Sequence, residues 1–292
     1  MSAHPKTDLS IPKTQKVAIF EKAGGPVEIK EAPVVQPDQL EAGQVLVKVL
    51  YSGVCHTDLH ALLGDWPLEA KLPLIGGHEG SGFVVAIGKG TTSPIKLALE
   101  GEILTPNESV CPDAQCSGYT VDGSFQQYAV SYAAHVTPIP ESIALDLAAP
   151  ILCAGVTVFK SFVDFKSSPD IIEEIKKVAD GLGPHAAIVA SSASAGYDQA
   201  LQYLRPGGTL VAVGLPPGAK INADVFWTVV RSITVKGSYV GNREDARQAL
   251  DIAARGRVRT TYRVEPLGKL PEVFKAMKEG KLAGRVVLDL WK

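Results

Sequence analysis

Two cysteines and one histidine in this chain of 292 residues have the chemistry of a catalytic zinc set. Cys55 begins the run Cys-His-Thr-Asp-Leu-His, His78 stands between Gly77 and Glu79, and Cys153 follows far downstream. Zinc binds thiolates and imidazoles readily, and a catalytic site leaves its fourth position open. The metal lowers the pKa of a bound water from about 15.7 to about 7, and a bound alcohol should likewise lose its proton more easily. Because the three residues are distant in sequence, the fold must bring them together.

Some of these residues also have an ordinary structural interpretation. A single Cys on a helix or strand is more often a small buried apolar residue. Asp58 lies where it could cap a helix that begins at this point. Cys111 and Cys116 have no second Cys or His pair nearby, so they are interpreted as two loop thiols without a metal. His78-Glu79 begins the metalloprotease pattern H-E-x-x-H, but Gly82 stands at the second histidine, which excludes that function.

The composition narrows the class of protein. Hydrophobic residues make up 46% of the chain and charged residues 21%, which is ordinary for a soluble globular protein. A net charge of −2 gives no basic surface for nucleic acid. No apolar run approaches the roughly 18 residues of a membrane helix. Residues 1–14 lack the apolar core of a signal peptide, so we expect the chain to stay in the cytoplasm.

The hydrophobic pattern changes along the chain. The first half is rich in short β-branched runs, which predict strands at residues 16–20, 44–50 and 82–88. Residues 145–160 read as a buried helix with Cys153 on its interior side. Beyond residue 162 strands alternate with helices, which is typical of a parallel α/β sheet. We expect strands at 162–165, 186–190, 209–213 and 232–236. Helices are predicted from Ser168 to Gly181, over 197–204, after Asn242 and from Pro271, and the strand at 286–289 returns to the first domain.

The residues around these ligands resemble the zinc-dependent medium-chain alcohol dehydrogenases, closest to their tetrameric, ethanol-oxidising branch. The resemblance runs through residues 51–67, 72–82, 122–128, 149–155, 206–209 and 237–245. It implies a GroES-like β-rich catalytic domain over 1–158, completed by 266–292, and a Rossmann-like nicotinamide-binding domain over 159–265. It also implies oxidation of small primary alcohols to aldehydes with hydride transfer to NAD, a zinc ion at Cys55, His78 and Cys153, and a homo-oligomer.

The resemblance also implies roles for residues near the metal. Thr57 would take the alcohol proton, and His60 would be the outer base of a relay that communicates through the cofactor ribose. Asp58 would form a hydrogen bond with His78 on the ring nitrogen that does not bind the metal, which fixes the tautomer of His78. Glu79 would swing toward the metal. Trp66 would wall the alcohol pocket, although core packing is an equal alternative for a tryptophan.

Four more residues are implied on the cofactor side. His56 would lie at the pyrophosphate, and Arg285 would bind a cofactor phosphate. Ser238 and Val240 belong to a segment whose backbone would contact the nicotinamide carboxamide and a neighbouring subunit. For Arg285, a solvated surface charge is the alternative.

The chain departs from the family pattern where the cofactor should bind. The family's dinucleotide-binding half opens with a strand, a glycine-rich turn and a helix, whereas residues 155–161 here run directly into 162–165. A βαβ unit takes roughly 30 residues, so this loss exceeds a trimmed loop. The run 181–186 fits G-x-G-x-x-A by letter, but it precedes a strand, and Pro184 lacks a backbone donor. We expect a truncated Rossmann-like domain without its first βαβ unit and doubtful NAD binding.

A second departure falls at residues 91–111. The family usually places four cysteines there around a structural zinc, and only Cys111 matches. We therefore expect one catalytic zinc and no structural zinc. The two losses indicate a truncated or mis-spliced gene product, and the alternative function is a catalytically impaired zinc-binding homologue that does not bind the cofactor.

Overall fold

The computed structural model describes residues 8–92, 115–155, 170–191 and 193–292. The chain divides by packing into unit 1, Met1–Val156 with Gly241–Lys292, and unit 2, Thr157–Val240. This division does not test where one family domain ends, so the predicted limits at residues 158 and 266 stay a prediction. Within the described ranges, every helix is too short or too polar to cross a bilayer.

Unit 1 is built on two sheets that are mostly antiparallel. The first has the order β2-β1-β4, where β1 is Thr14–Phe20, β2 is Glu28–Pro33 and β4 is Leu74–Ile75. The second has the order β10-β11-β3-β5, with β6 also paired to β3. Its strands are β3 (Gln44–Val54), β5 (Glu79–Ile87), β6 (Tyr128–Tyr132), β10 (Tyr262–Pro266) and β11 (Arg285–Asp289). The strands predicted at 16–20, 44–50 and 82–88 are confirmed.

The C-terminal segment closes the second sheet. Strand β11 pairs antiparallel with β3, with Val286 opposite Val54. Helix α7 (Leu270–Lys278) precedes it and buries Val273, Phe274 and Met277. The predicted helix near Pro271 and the returning strand are both confirmed. The end of the chain therefore helps to hold β3, the strand that leads into Cys55.

Helix α6 (Arg243–Ala254) begins where the sequence predicts it. The side chain of Asn242 accepts a hydrogen bond from the backbone N–H of Asp245 at 3.0 Å. The Asp245 carboxylate in turn accepts from the backbone N–H of Asn242 at 2.8 Å. This reciprocal capping satisfies donors that the first turn of a helix would otherwise leave open. The acidic first turn also suits the helix dipole.

A large buried cluster forms most of the described core of unit 1, with a smaller one around Leu46 and Tyr128. Phe20 and Phe125 are fully buried, and the ring of Phe125 meets that of Phe274 edge-on at 6.4 Å. Burying a side chain of this kind contributes roughly 1.5–3 kcal/mol. The same cluster includes Leu59 and Leu62 of helix α1 (His56–Leu63). The helix that follows Cys55 is therefore anchored to the core.

Unit 2 contains a parallel sheet of order β7-β8-β9 in the described part of the chain. Its elements are α3 (Ile171–Val178), β7 (Ala186–Val189), α4 (Ala195–Tyr203), β8 (Thr209–Ala212), α5 (Val225–Val230) and β9 (Thr234–Gly237). The predicted parallel α/β pattern is confirmed for these strands. The strand predicted at 162–165, together with Ser168 and Pro169, lies outside the described residues.

Gly181 and Gly183, which match a nucleotide-binding fingerprint by letter, have structural roles just after helix α3. Gly181 has φ +75° and donates its N–H to the carbonyl of Lys176 at 2.8 Å, which ends the helix as predicted. Gly183 has φ +88° and packs against the backbone of Tyr203. Both glycines therefore serve a helix end and a close backbone approach. The helical spacing of Ile171, Ile172, Ile175 and Val178 predicts one apolar stripe, but Val178 is 82% exposed because the helix ends there, one turn past the buried Ile175.

Candidate metal centre

Cys55 lies at the junction between β3 and α1. It is the N-cap residue of the helix, with an extended backbone at φ −115° and ψ 162°. The Oδ2 atom of the buried Asp58 accepts a hydrogen bond from the Cys55 N–H at 2.8 Å. Since strand pairing fixes β3 and this bond fixes the first turn of α1, the direction of the Cys55 side chain is set from both sides.

His78 is aimed by the glycine before it. Gly77 has φ +90°, and a Cβ there would lie 2.6 Å from Cδ1 of Phe125 and 2.8 Å from its backbone nitrogen. Only glycine fits this turn, because both the conformation and the space exclude a side chain. Asp58 Oδ1 lies 2.8 Å from His78 Nδ1. A carboxylate only accepts, so Nδ1 donates, and Nε2 is the nitrogen left to face the two thiols.

Cys153 belongs to a short π-helical turn. Helix α2 (Leu145–Pro150) leads into the turn Ile151–Gly155. Such turns are frequent at functional sites because they redirect one side chain. Residues 145–155 of the predicted helix are therefore helical but change type after Pro150, and residues 156–160 lie outside the described part. Cys153 is half-buried.

The three predicted ligands converge. The Sγ atom of Cys153 lies 3.2 Å from Nε2 of His78. One ligand atom from each of Cys55, His78, Glu79 and Cys153 lies within 4.8 Å of all the others. Zinc bonds sulfur at about 2.3 Å and nitrogen at about 2.0–2.1 Å, so two ligands of one tetrahedral ion lie roughly 3.5–3.8 Å apart, and the separations here differ from that by about 1 Å or less. The donor set and its spacing therefore fit Zn²⁺.

Glu79 brings a carboxylate to the same place. It is fully buried, and its Oε1 atom accepts a hydrogen bond from the guanidinium of Arg285. Its Oε2 atom has no hydrogen-bond partner among the described residues. Burial raises the pKa of Glu79 to about 7, against the opposing effect of Arg285. An unpartnered buried oxygen beside two thiols and an imidazole is the arrangement expected where a cation completes the contacts.

The pKa values of the three candidate ligands are shifted in opposite directions. Burial lowers the pKa of His78, but Asp58 and Cys55 outweigh it, so the pKa lies well above its usual value. The hydrogen bond from the Cys153 thiol holds the pKa of Cys55 well below its usual value, with help from His78. The same contact and burial raise the pKa of Cys153 well above its usual value. Zinc must therefore displace protons to bind, because it takes neutral imidazole and thiolate.

The remaining predicted residues of α1 lie along one helix beside this cluster. The hydroxyl of Thr57 lies 3.8 Å from Cys55 Sγ. The rings of His56 and His60 are 6.4 Å apart between centroids. Trp66 stacks on the ring of His60 with centroids 4.8 Å apart and packs against the core of unit 1. Its predicted role in an alcohol pocket and the proton-relay roles stay predictions.

The cofactor-side residues are divided between the two units. Arg285 lies on β11 in unit 1 against Glu79, a partner that sequence reasoning missed, and its Nε atom has no partner among the described residues. Ser238 and Val240 lie in unit 2, where the Ser238 hydroxyl is buried without a hydrogen-bond partner in the described part and Val240 has φ +34°. The assignments of all four residues, His56 included, to a cofactor stay predictions.

The second predicted departure falls mostly outside the described residues. Residues 93–114, with Cys111, are not described, so the expected absence of a structural zinc is not tested. Cys116 is a half-buried free thiol. Its backbone carbonyl accepts hydrogen bonds from Tyr119 and Thr120 at 3.0 and 2.9 Å, which places it in a turn as the loop interpretation predicts.

Sequence comparison identifies both parts of the chain. A family described as "Alcohol dehydrogenase GroES-like domain" matches residues 41–141, and one described as "Zinc-binding dehydrogenase" matches residues 154–255. The chain is 40% identical to an alcohol dehydrogenase of Schizosaccharomyces pombe over 357 residues, covering 97% of this chain and 100% of that protein. It is 42% identical to alcohol dehydrogenase 1 of Neurospora crassa, covering 97% of this chain and 99% of that protein. At least 65 positions of the 357-residue alignment, the excess over 292, have no residue from this chain.

Solved structures agree with the fold. An alcohol dehydrogenase from the archaeon Aeropyrum pernix superposes with a TM-score of 0.79 at 20% identity, covering 94% of this chain and 99% of that one. A cinnamyl alcohol dehydrogenase from Sorghum bicolor superposes with a TM-score of 0.76 at 23% identity, covering 95% and 98%. At these identities the likeness concerns the fold alone.

The sequence matches, and not the structural ones, identify the class of enzyme to which the chain belongs. A GroES-like domain joined to a Rossmann-like α/β domain, with relatives at about 40% identity over nearly the whole chain, is the make-up of one group of oxidoreductases, and membership implies zinc and NAD as cofactors. The chain belongs to the zinc-dependent medium-chain alcohol dehydrogenases.

Proposed function

We propose that this chain holds one Zn²⁺ through Cys55, His78 and Cys153 and oxidises small primary alcohols to aldehydes with NAD as the hydride acceptor. The observation that carries the proposal is the convergence of the ligand atoms to within 4.8 Å of one another. When bound, zinc supplies Lewis-acid chemistry that makes loss of the alcohol proton easier. Three ligands from the protein leave the open position that such a catalytic site requires.

The neighbouring side chains support this chemistry by holding and orienting groups. Asp58 uses one carboxylate oxygen for the helix cap and the other for His78 Nδ1, both at 2.8 Å. The two interpretations of Asp58 in the sequence are therefore compatible, and a residue of this kind makes its histidine a better ligand. Thr57 places a hydroxyl beside Cys55, where it is available to pass on a proton. The ion pair with Arg285 keeps Glu79 at the edge of the metal position.

The part of unit 2 that is described does not fit a dinucleotide fingerprint. The sequence between β7 and α4, residues 190–194, includes no glycine, and in the longer connection from β8 to α5 Gly214 and Gly218 are separated by Pro216 and Pro217, which lack backbone donors. The family's glycine-rich turn would supply backbone donors to the pyrophosphate at a helix N-terminus. We infer that NAD binds weakly, since each lost hydrogen bond to a charged group removes about 1.5–3 kcal/mol.

A second candidate function follows if the loss of the glycine-rich turn abolishes NAD binding altogether. The chain would then bind zinc but neither bind NAD nor turn over an alcohol. In the alignment with the Schizosaccharomyces pombe protein, at least 65 positions have no residue from this chain. This number exceeds one βαβ unit of roughly 30 residues, which favours the second function.

Metal analysis and cofactor titration on the purified full-length chain separate the two. We expect one zinc per chain, saturable enhancement of reduced-nicotinamide fluorescence at high cofactor concentration, and ethanol-dependent reduction of NAD. A variant Cys153→Ala should lose zinc and turnover together. One zinc per chain with no fluorescence change up to millimolar cofactor would replace the first function by the second. Absence of zinc from the unmodified chain would contradict both.

We also propose a homo-oligomer in the cytoplasm. Five of the six residues of α5 are apolar and exposed, among them Phe226 and Trp227, and all four residues of β9 at the sheet edge are exposed. An exposed apolar helix beside an open strand edge favours association with another copy. Sedimentation of the purified chain tests this, and a monomer at micromolar concentration would contradict it.

A further inference from the structure

The end of helix α1 folds Asp65 back onto His60. Gly64 follows the helix with φ +64° and ψ 32°, and its N–H donates to the carbonyl of His60 at 2.8 Å. A Cβ at Gly64 would lie 2.9 Å from Cβ of Ala23, so both the conformation and the space require glycine. This reversal places Oδ1 of Asp65 at 2.8 Å from Nδ1 of His60.

A stack of aromatic rings holds the same imidazole from its face. Trp66 lies on the His60 ring with centroids 4.8 Å apart and planes inclined by 21°. Tyr119 lies on Trp66 at 5.8 Å and 27°, and its hydroxyl donates to the carbonyl of Leu68 at 2.9 Å. The His60 side chain is only 14% exposed. The plane of the imidazole is therefore set by Trp66 and its rotation by Asp65.

These contacts decide which ring nitrogen carries the proton. An ionised carboxylate only accepts hydrogen bonds, so neutral His60 must carry its proton on Nδ1 to satisfy Asp65. Its Nε2 atom then has a free lone pair and is able to accept a proton. Among the described residues, the ionisable groups whose rings lie near this stack include His56, one helical turn earlier, and Tyr119 beyond Trp66.

We propose that Asp65 is a positioning residue that keeps His60 in the Nδ1–H tautomer and leaves Nε2 as the proton acceptor. The catalytic consequence rests on the proposed function, in which His60 is the outer base of the alcohol-proton relay. The positioning itself depends only on the contacts among Asp65, His60 and Trp66.

The tautomer is measured directly by nitrogen NMR on the zinc-loaded full-length chain with ¹⁵N-labelled histidine. The chain has six histidines, and a His60→Asn variant assigns the signals of His60. We expect Nδ1–H in the unmodified protein and loss of that preference in Asp65→Ala. Asp65→Asn keeps an acceptor oxygen and should retain most of it. Glu69→Ala, at an exposed acid four residues further on, should leave the tautomer unchanged.

Turnover tests the consequence separately. In Asp65→Ala we expect kcat/KM for ethanol at neutral pH to fall about tenfold, below the roughly 10²–10⁴-fold contributed by a direct acid–base group. Zinc content should stay at one per chain. A His60 tautomer that does not change in Asp65→Ala overturns the proposal whether or not the chain has turnover. A changed tautomer with unchanged kcat/KM overturns its catalytic part.

Discussion

The candidate metal ligands of unit 1 and the helices around the parallel sheet of unit 2 differ in how firmly neighbouring residues fix them in place. In unit 1 every candidate ligand has a neighbour that fixes it: Asp58 for Cys55 and His78, and the turn after α2 for Cys153. In unit 2 the described core cluster is small, and the apolar helix α5 is exposed along its length. Since all the candidate ligands belong to unit 1, the lack of a glycine-rich turn in the described part of unit 2 does not remove any of them.

The largest expected effect compares one phenylalanine from each unit. Phe125 is fully buried in unit 1, whereas Phe226 on α5 is 65% exposed. Phe125→Ala should lower the free energy of unfolding by about 3–5 kcal/mol through lost burial and the cavity left behind. Phe226→Ala should cost the single chain less than about 0.5 kcal/mol because its ring is exposed there, and a larger loss would come from contact with another copy. Urea unfolding of both variants measures the difference, and equal losses would show that α5 is covered in solution.

A cysteine pair tests the metal centre next. Zinc sites with four protein ligands bind with about 10–16 kcal/mol, or roughly 3 kcal/mol per ligand, so Cys153→Ala should weaken zinc about 10²-fold or more. Cys116→Ala is the matched control, because Cys116 is also a half-buried free thiol but is no part of the cluster. Competition with a chromogenic chelator gives both affinities. Equal affinities in the two variants would remove Cys153 from the ligand set.

Variants of Asp58 and Asp65 distinguish a residue that orients a candidate metal ligand from a residue that orients His60. Asp58→Asn should weaken zinc about 10–100-fold, because His78 loses the carboxylate behind its Nδ1. Asp65→Asn should leave zinc affinity unchanged, since Asp65 contacts His60, which is no ligand. The same chelator competition applies. A comparable loss in both variants would indicate that the whole of α1, and not one hydrogen bond, determines the affinity.

The smallest expected effect, counted for each titrating group and pH unit, is a pH dependence of zinc affinity. The pKa values of His78 and Cys153 lie well above their usual ranges in the metal-free site, so both groups release protons when zinc binds. Affinity should therefore fall as pH falls, by about tenfold per pH unit for each proton released. Calorimetry in buffers of different ionisation enthalpy counts those protons. Binding without proton release would show that the free site is already ionised.

Much of the fold and the ligand set could be predicted from sequence. The strands of unit 1, the capping of α6 by Asn242 and the ligand types depend on local patterns, and the structure bears out the strands and the cap. Two contacts were missed, and only one of them was beyond prediction. Arg285 reaches Glu79 across 206 positions of sequence, and only the pairing of β11 with β3 brings them together. The contact between Asp65 and His60 did have a local signal in the sequence. A glycine directly after a helical stretch indicates a chain reversal, and sequence reasoning overlooked it.

The sequence by itself determined which atoms are offered to a metal: two thiols, one imidazole and one carboxylate with the glycines that make room for them. Side-chain chemistry and local backbone preferences are properties of short segments, so they are visible in the letters. Only the tertiary structure decided that His78 Nε2 and Cys153 Sγ lie 3.2 Å apart, although 75 positions separate them. That distance depends on the pairing of β3 with β5 and on the packing of α2 against both strands, since contacts between distant segments follow from the whole core.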